Sequence, residues 1–198
     1  RSQSSYSLSE STLKIKKLVH LAKKNNMPAI ALTDNNNMFG ILEFSIECIE
    51  NGIQPIIGTS INYLDIQTKE HPSQLNFLVK NEEGYKNLLY LSSISHTEGN
   101  NPIGIYDKDL KNHTNGLICY IGGEYNPLLI LKLQNKIAEI STFVEKFQNI
   151  FGQDFLFEIQ RVQDPIIDEF EKEFLECSQN FKISLIGSNN IKYEKEND

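Results

Sequence analysis

The sequence predicts an α/β fold in which about seven strand and helix units form a parallel sheet, closed or nearly closed into a barrel. Two observations carry this expectation. Short apolar runs of strand length alternate with longer segments whose apolar residues recur at helical spacing. This alternation is packed into 198 residues with 39% hydrophobic content, which suits one large core. Strands joined through helices pair in parallel, because the helix returns the chain to the edge from which it left. We therefore read residues 1–198 as a single domain.

Taken in order, residues 1–10 read as the end of a strand and a polar turn, with Ser5, Ser7 and Ser9 available as caps. From Ser11 to Asn26, the stripe of Leu13, Leu18, Val19 and Ala22 predicts a helix with lysines opposite, stopped by Met27-Pro28. Ala29 to Thr33 predicts a strand, and Asp34 and three asparagines lead into a second helix from about Met38 to Glu50, ended by Asn51-Gly52. Gln54–Ile57 predicts a short buried strand, with Gly58 leading into another apolar stretch from Ser60 to Ile66. Leu75–Lys80 predicts a strand, and Asn81-Glu82-Glu83 opens a helix through about Ser95. After a loop at 99–104 come a helical turn at Asp107–Lys111, a strand at Gly116–Ile121 and helices at Pro127–Leu133 and Lys136–Phe147. Phe155–Ile159 (strand), Ile166–Gln179 (helix) and Ile183–Gly187 (strand) complete the series.

In α/β folds, ligands collect where strands end and the following helices begin, so residues 33–37 are expected to face a site. An Asn-Asn-Asn run there is polar but chemically quiet, because amides neither exchange protons near neutral pH nor bind transition metals as imidazole or carboxylate do. Asp34 reads as a cap for the loop or helix that follows it rather than as a catalytic acid. His20 falls in a helix, His71 and His113 in loops and His96 at a helix end, none with a second histidine or acid at metal-ligand spacing. The acidic run at 168–176 reads as a solvated helix face with Phe170, Phe174 and Cys177 turned inward.

A net charge of −7 and only two arginines, Arg1 and Arg161, argue against an autonomous nucleic-acid-binding domain. Any service to DNA is expected to be indirect. Cys48, Cys119 and Cys177 are odd in number and widely spaced, which points to a reducing cytoplasmic compartment. No apolar run approaches the roughly 20 residues that span a bilayer, so no membrane partner is expected. The opening Arg1-Ser2-Gln3 without methionine and the charged tail suggest a piece of a longer chain. The abundance of Asn and Lys is read as a genome bias.

Five stretches carry a resemblance: SSYSL at 4–8, MPAIALTDNNNMFG at 27–40, GIQPIIG at 52–58, KNEEGYKNLLYLSS at 80–93 and FEIQR at 157–161. They resemble the polymerase and histidinol phosphatase (PHP) domain, in the version found at the N-terminus of bacterial replicative DNA polymerase III alpha subunits. The resemblance runs from Arg1 to about Tyr193. It implies a distorted seven-stranded (βα)7 barrel of the PHP type.

Active members of that family resemble trinuclear metal enzymes, in which histidines and carboxylates on strand ends hold dications that activate water against a phosphoester. By resemblance, the opening His-x-His falls on Arg1-Ser2-Gln3 and the early acid is kept as Glu10. The histidine after Thr-Asp becomes Asn35, the glutamate after the PIIG strand becomes Ser60, and the next strand's histidine becomes Gln74. The position after the strand at 117–121 falls on Gly122 or Gly123, and the closing Asp-x-His becomes Asn190-Ile191-Lys192. Only Glu10 among these is a strong ligand.

The resemblance thus implies a vestigial pocket of Arg1, Gln3, Glu10, Asn35, Ser60, Gln74, Asn190 and Lys192, with no catalytic residue, metal or cofactor. It further implies a silent scaffold within a DNA-directed DNA polymerase, its partners being the rest of the alpha chain and the separate proofreading exonuclease (epsilon) subunit. No Asp-x-Asp pair capable of holding two magnesium ions occurs in the sequence. One alternative is a metal-dependent phosphoesterase or intrinsic 3′–5′ exonuclease, which needs the ligands that these substitutions remove. Another is a phosphate-binding module using Arg1, Lys192 and the Asn-rich strand ends. Within the pocket, Arg1 or Lys192 is expected to reach Glu10, with Asn35, Gln74 and Asn190 completing hydrogen bonds.

Overall fold

The structure, a computed structural model, describes residues 1–68, 71–97, 102–161 and 164–194; the first part of the loop expected at 99–104 lies outside them. Helix α1 (Ile15–Lys24) buries Ile15, Leu18, Val19 and Ala22 and places Lys23 and Lys24 in its last turn, where cations meet the negative end of the helix dipole. Strand β1 (Ala29–Asn35) follows, then α2 (Ile41–Glu50), which buries Ile41, Phe44 and Cys48. These elements share a small core with Leu13, Ile30 and Leu32.

Strand β2 (Gln54–Gln67) is one continuous strand of 14 residues. The break expected at Gly58 does not occur. A Cβ there would stand 2.4 Å from the carbonyl oxygen of Phe77, so the glycine admits the neighbouring strand and makes no turn. Strand β3 (Pro72–Val79), α3 (Glu82–Thr97), the short α4 (Asp107–Leu110) and β4 (Leu117–Gly122) come next. Helix α5 (Pro127–Leu133) starts with Asn126 accepting from the amide of Leu128 and with proline in its first turn. Helix α6 (Ile137–Phe151) and β5 (Phe155–Ile159) follow. Helix α7 (Pro165–Phe181) is capped by Asp164, which accepts from the amides of Ile166 at 2.8 Å and Ile167 at 3.2 Å. Strand β6 (Ser184–Gly187) ends the series.

The six strands form one curled, half-barrel sheet in sequential order from β1 to β6. Among the described residues six strands, not seven, are found, and the sheet is mixed rather than parallel. β1 and β2, β4 and β5, and β5 and β6 pair in parallel, whereas β3 runs antiparallel to both its neighbours. Between β2 and β3 the link is too short for a crossover helix and can only join antiparallel strands, whereas β3 and β4 are antiparallel although α3 and α4 lie between them. In place of a seventh strand stands the segment around Ser2. The amide of Gln3 donates to Ile191 O at 3.0 Å and the amide of Thr33 to Ser2 O at 2.9 Å, so this segment links β1 to the chain beyond β6 by a single bridge.

The two faces of the sheet differ in chemistry. The convex face carries Phe77, Cys119, Ile121, Phe155 and Phe157 against Phe143, Phe147 and Phe151 of α6 and Phe174 of α7. Phe157 and Phe174 stack with centroids 4.4 Å apart. The concave face is polar along one end, beyond Ile56, Leu78 and Ile118. Register sets Asn35 beside Ser60, Ser60 beside Asn76 and Asn76 beside Tyr120, and two residues further along sets Gly122 beside Glu158. Strand period 2 keeps these side chains on one face.

Candidate functional site

Two carboxylates anchor the concave face. Glu158 is one of them, with its side chain 0% exposed. Gly122 on the adjacent strand gives it room: a Cβ on Gly122 would lie 2.6 Å from the Glu158 Cβ. A carboxylate so far from water needs a cation or several donors. Glu158 has both. Its Oε1 accepts from Ser188 Oγ and lies 3.6 Å from Arg1 Nε, and its Oε2 accepts from Gln160 Nε2 at 2.9 Å. Arg1 Nη1 donates to Asn76 Oδ1, which also accepts from Ser60 Oγ at 2.6 Å, while Asn76 Nδ2 donates to Tyr120 O at 3.1 Å. Burial, reinforced by the charge of Glu158, pushes the Tyr120 hydroxyl pKa up, so Tyr120 holds its proton.

Glu10, the second carboxylate, sits closer to solvent. It accepts from Asn35 Nδ2 and lies 3.4 Å from Lys192 Nζ. Asn35 Oδ1 in turn accepts from Gln3 Nε2 at 3.1 Å, and the Asn35 amide donates to Ser7 Oγ at 3.1 Å. Asp34, 2% exposed, faces the other way and pins the preceding loop: its oxygens accept from the Ser4 amide at 2.6 Å and from the Ser4 and Ser7 hydroxyls at 2.7 Å each. It therefore pins the Ser4–Ser7 segment ahead of α1, not the loop or helix that follows β1.

The structure brings together Arg1, Gln3, Glu10, Asn35, Ser60 and Lys192 along these bonds. Two expected members take no part in these bonds. Gln74 donates to Asn62 Oδ1 at 3.3 Å, because it lies two residues before Asn76 on β3 and register pairs it with Asn62. Asn190 Oδ1 is buried without a hydrogen-bond partner, as is Gln3 Oε1. Lys192 is the cation that reaches Glu10, whereas Arg1 is held at Glu158. Glu158, Asn76, Gln160 and Ser188 were not foreseen as members. The available signal was a charged residue inside the strand sequence FLFEI, where a side chain of that kind is buried only with a partner. The histidines lie elsewhere: His96 Nε2 contacts the backbone oxygen of Asn36 at 2.6 Å, His113 stacks on Tyr90 and His71 sits edge-on to Tyr125.

A cluster of dications does not fit these residues. Each carboxylate already faces a cationic side chain, and the remaining donors are amides and hydroxyls. Among the described residues, no three His, Cys, Asp or Glu side chains converge as a metal-holding group. Arg1 adds a fixed positive charge that opposes a second cation nearby.

The family model described as the PHP domain matches residues 1–162. The chain belongs to the PHP domain family. DNA polymerase III subunit alpha of Rickettsia bellii is 38% identical over 200 residues, covering 98% of this chain and 17% of its own length. The subunit of the same name from Borreliella burgdorferi is 37% identical over 208 residues, covering 98% of this chain and 18% of its own. This PHP chain thus spans less than a fifth of the length of those relatives. Among solved structures, a two-domain protein from Bacteroides vulgatus containing a predicted PHP-like metal-dependent phosphoesterase aligns with a TM-score of 0.60 at 10% identity, covering 98% of this chain and 51% of that one. An amidohydrolase from Chromobacterium violaceum, with bound sulfate and no metal, aligns with a TM-score of 0.57 at 12% identity, covering 98% of this chain and 87% of that one. At such identities the likeness concerns the fold alone.

Proposed function

We propose that this chain is the N-terminal PHP domain of a bacterial DNA polymerase III alpha subunit, a part of a cytoplasmic DNA-directed DNA polymerase. The observation that carries this reading is 38% identity to such a subunit sustained over 98% of the chain. Within the polymerase the domain acts as a scaffold, metal-free and without chemistry of its own, that docks the proofreading exonuclease subunit and meets DNA only through the larger assembly. Its support is the donor set. Arg1 and Lys192 stand beside the two carboxylates at 3.6 and 3.4 Å, so fixed cations occupy the concave face where family relatives would need dications. Arg1 also shares its charge with Glu158, whose carboxylate opposes an incoming phosphate.

Calorimetric titration of the full alpha chain with its cognate exonuclease subunit tests the docking. Saturable binding that survives Asn35→Ala and Ser60→Ala is expected. No binding would defeat the scaffold reading, and binding abolished by either substitution in a folded chain would move the contact into the concave face.

A further inference from the structure

Helix α2 turns a second face outward that its own domain leaves bare. Its inner face, Ile41, Phe44 and Cys48, is buried. On the outer side, Leu42 is 73% exposed, Ile46 50% and Ile49 70%, and Phe39, just before the helix, is 72% exposed. The spacing from 39 to 42, 46 and 49 is three, four and three residues, which is the seam by which one helix packs against another. At 1.5 Å per residue the helical part of the stripe, from Leu42 to Ile49, runs about 10 Å, enough for roughly two turns of a partner helix.

The charge beside the stripe is one-sided. At about 100° per residue, Leu42, Ile46 and Ile49 fall within roughly 60° of arc, and Glu50, Glu43 and Glu47 follow along one flank. Ser45 occupies the other flank. Glu43 takes only a long 3.4 Å hydrogen bond from Tyr6 OH and Glu47 one from Asn51 Nδ2, and among the described residues no cationic side chain pairs with Glu43, Glu47 or Glu50. Three unneutralised carboxylates along one edge repel an anionic lipid surface and a second acidic copy of the same edge. They attract lysine or arginine.

From this geometry we infer that α2 is a docking face for an amphipathic helix of a partner protein, apolar along one seam and basic along one flank. The partner's apolar seam covers Leu42, Ile46 and Ile49, and its basic flank sits against the three glutamates and fixes orientation. This inference is carried by the α2 face alone and stands whether or not the polymerase reading holds.

The test is fluorescence anisotropy on the full chain carrying this domain, with two labelled synthetic peptides of about 18 residues, long enough to hold a helix. Both carry leucine at the first and fourth heptad positions; one has lysine along a single flank and the other glutamate. The lysine peptide should bind at least about tenfold tighter than the glutamate peptide, and Leu42→Glu or Ile46→Glu should weaken it about tenfold or more. A triple variant, Glu43→Lys with Glu47→Lys and Glu50→Lys, should invert the preference. If a stripe variant fails to fold by circular dichroism, the triple variant decides alone. Equal binding of both peptides, binding of neither, or no inversion would overturn the inference. So would self-association lost on Leu42→Glu in sedimentation, which assigns the stripe to a second copy, or tighter binding to neutral phosphatidylcholine vesicles than to the lysine peptide, which assigns it to a membrane.

Discussion

Removing the carboxylate of Glu158 should destabilise this domain far more than removing that of Glu10, although both face a cation. The difference follows from burial. The side chains of Arg1 and Glu158 are 6% and 0% exposed, so Glu158→Ala leaves a guanidinium out of water with Asn76 Oδ1 as its remaining side-chain acceptor. Breaking one partner of a buried pair costs about 3–5 kcal/mol, because the survivor keeps its desolvation penalty and loses its compensation. For a chain of this size, that corresponds to a fall of about 6–20 °C in Tm. Lys192 and Glu10 are 25% and 39% exposed, where water screens the charge and a pair contributes about 0.2–1 kcal/mol. Urea unfolding of the single and double variants Arg1→Met, Glu158→Gln, Lys192→Met and Glu10→Gln measures both couplings as double-mutant cycles. The Glu158→Gln variant keeps the shape and an acceptor for Ser188 or Gln160, so its cost isolates the charge. The reasoning fails if Glu158→Ala stays within about 1 kcal/mol of the parent, if Arg1 and Glu158 combine additively, or if the exposed pair couples more strongly than the buried one.

Three further outcomes are expected. Elemental analysis after dialysis should find less than one tightly held equivalent of zinc, manganese or iron per chain, since amides and hydroxyls surround two already paired carboxylates; two or more equivalents would contradict this. Gly84→Ala should strongly destabilise the domain, because its Cβ would fall 1.9 Å from the backbone oxygen of Gly116, itself held at φ +73; an unchanged urea midpoint would show that α3 can shift freely. Burial, with Glu47 nearby, raises the Cys48 thiol from its ordinary 9.0 to about 11. Between those values the unfolded chain releases a proton that the folded chain keeps, so stability should fall as pH rises through this window, and Cys48→Ala should flatten the slope.

Much of the fold was readable because its elements are local. Periodicity located α1 and α7, and Met27-Pro28 and Asn51-Gly52 marked where α1 and α2 stop, since these signals lie within a few residues of the element they define. What misled was Gly58. A glycine between two apolar runs reads as a break, but its cause is the approach of the Phe77 carbonyl, made by a strand that pairs with β2 only after the chain has turned back. The same hairpin sets β3 antiparallel to β2, and the count of seven fails at the other end, where the segment around Ser2 forms a single bridge instead of a strand. Such features belong to pairs of segments, and a reading of one segment at a time does not contain them.

The concave face follows the same division. Asn35, Glu10 and Lys192 were assigned to one place by resemblance, and hydrogen bonds join them across |i−j| of 25 and 182. Glu158 was passed over because its role depends on the strand next door. On β5 alone it is one acid among phenylalanines. It becomes the most buried ion-pair acid on this face because β4 offers Gly122 opposite it and because the segment beginning at Arg1 crosses the sheet's open side. Arg1 could be expected to serve either carboxylate on sequence grounds, and burial decides between them. A guanidinium disperses its charge over a planar fork and is less strongly hydrated than an ammonium, so it is better tolerated at the dry end, beside Glu158 and Asn76. The lysine remains where its ammonium keeps part of its water, beside Glu10. On this argument an Arg1→Lys exchange is not conservative: a compact ammonium at position 1 would keep one positive charge but could not both donate to Asn76 as Nη1 does and place charge beside Glu158 as Nε does.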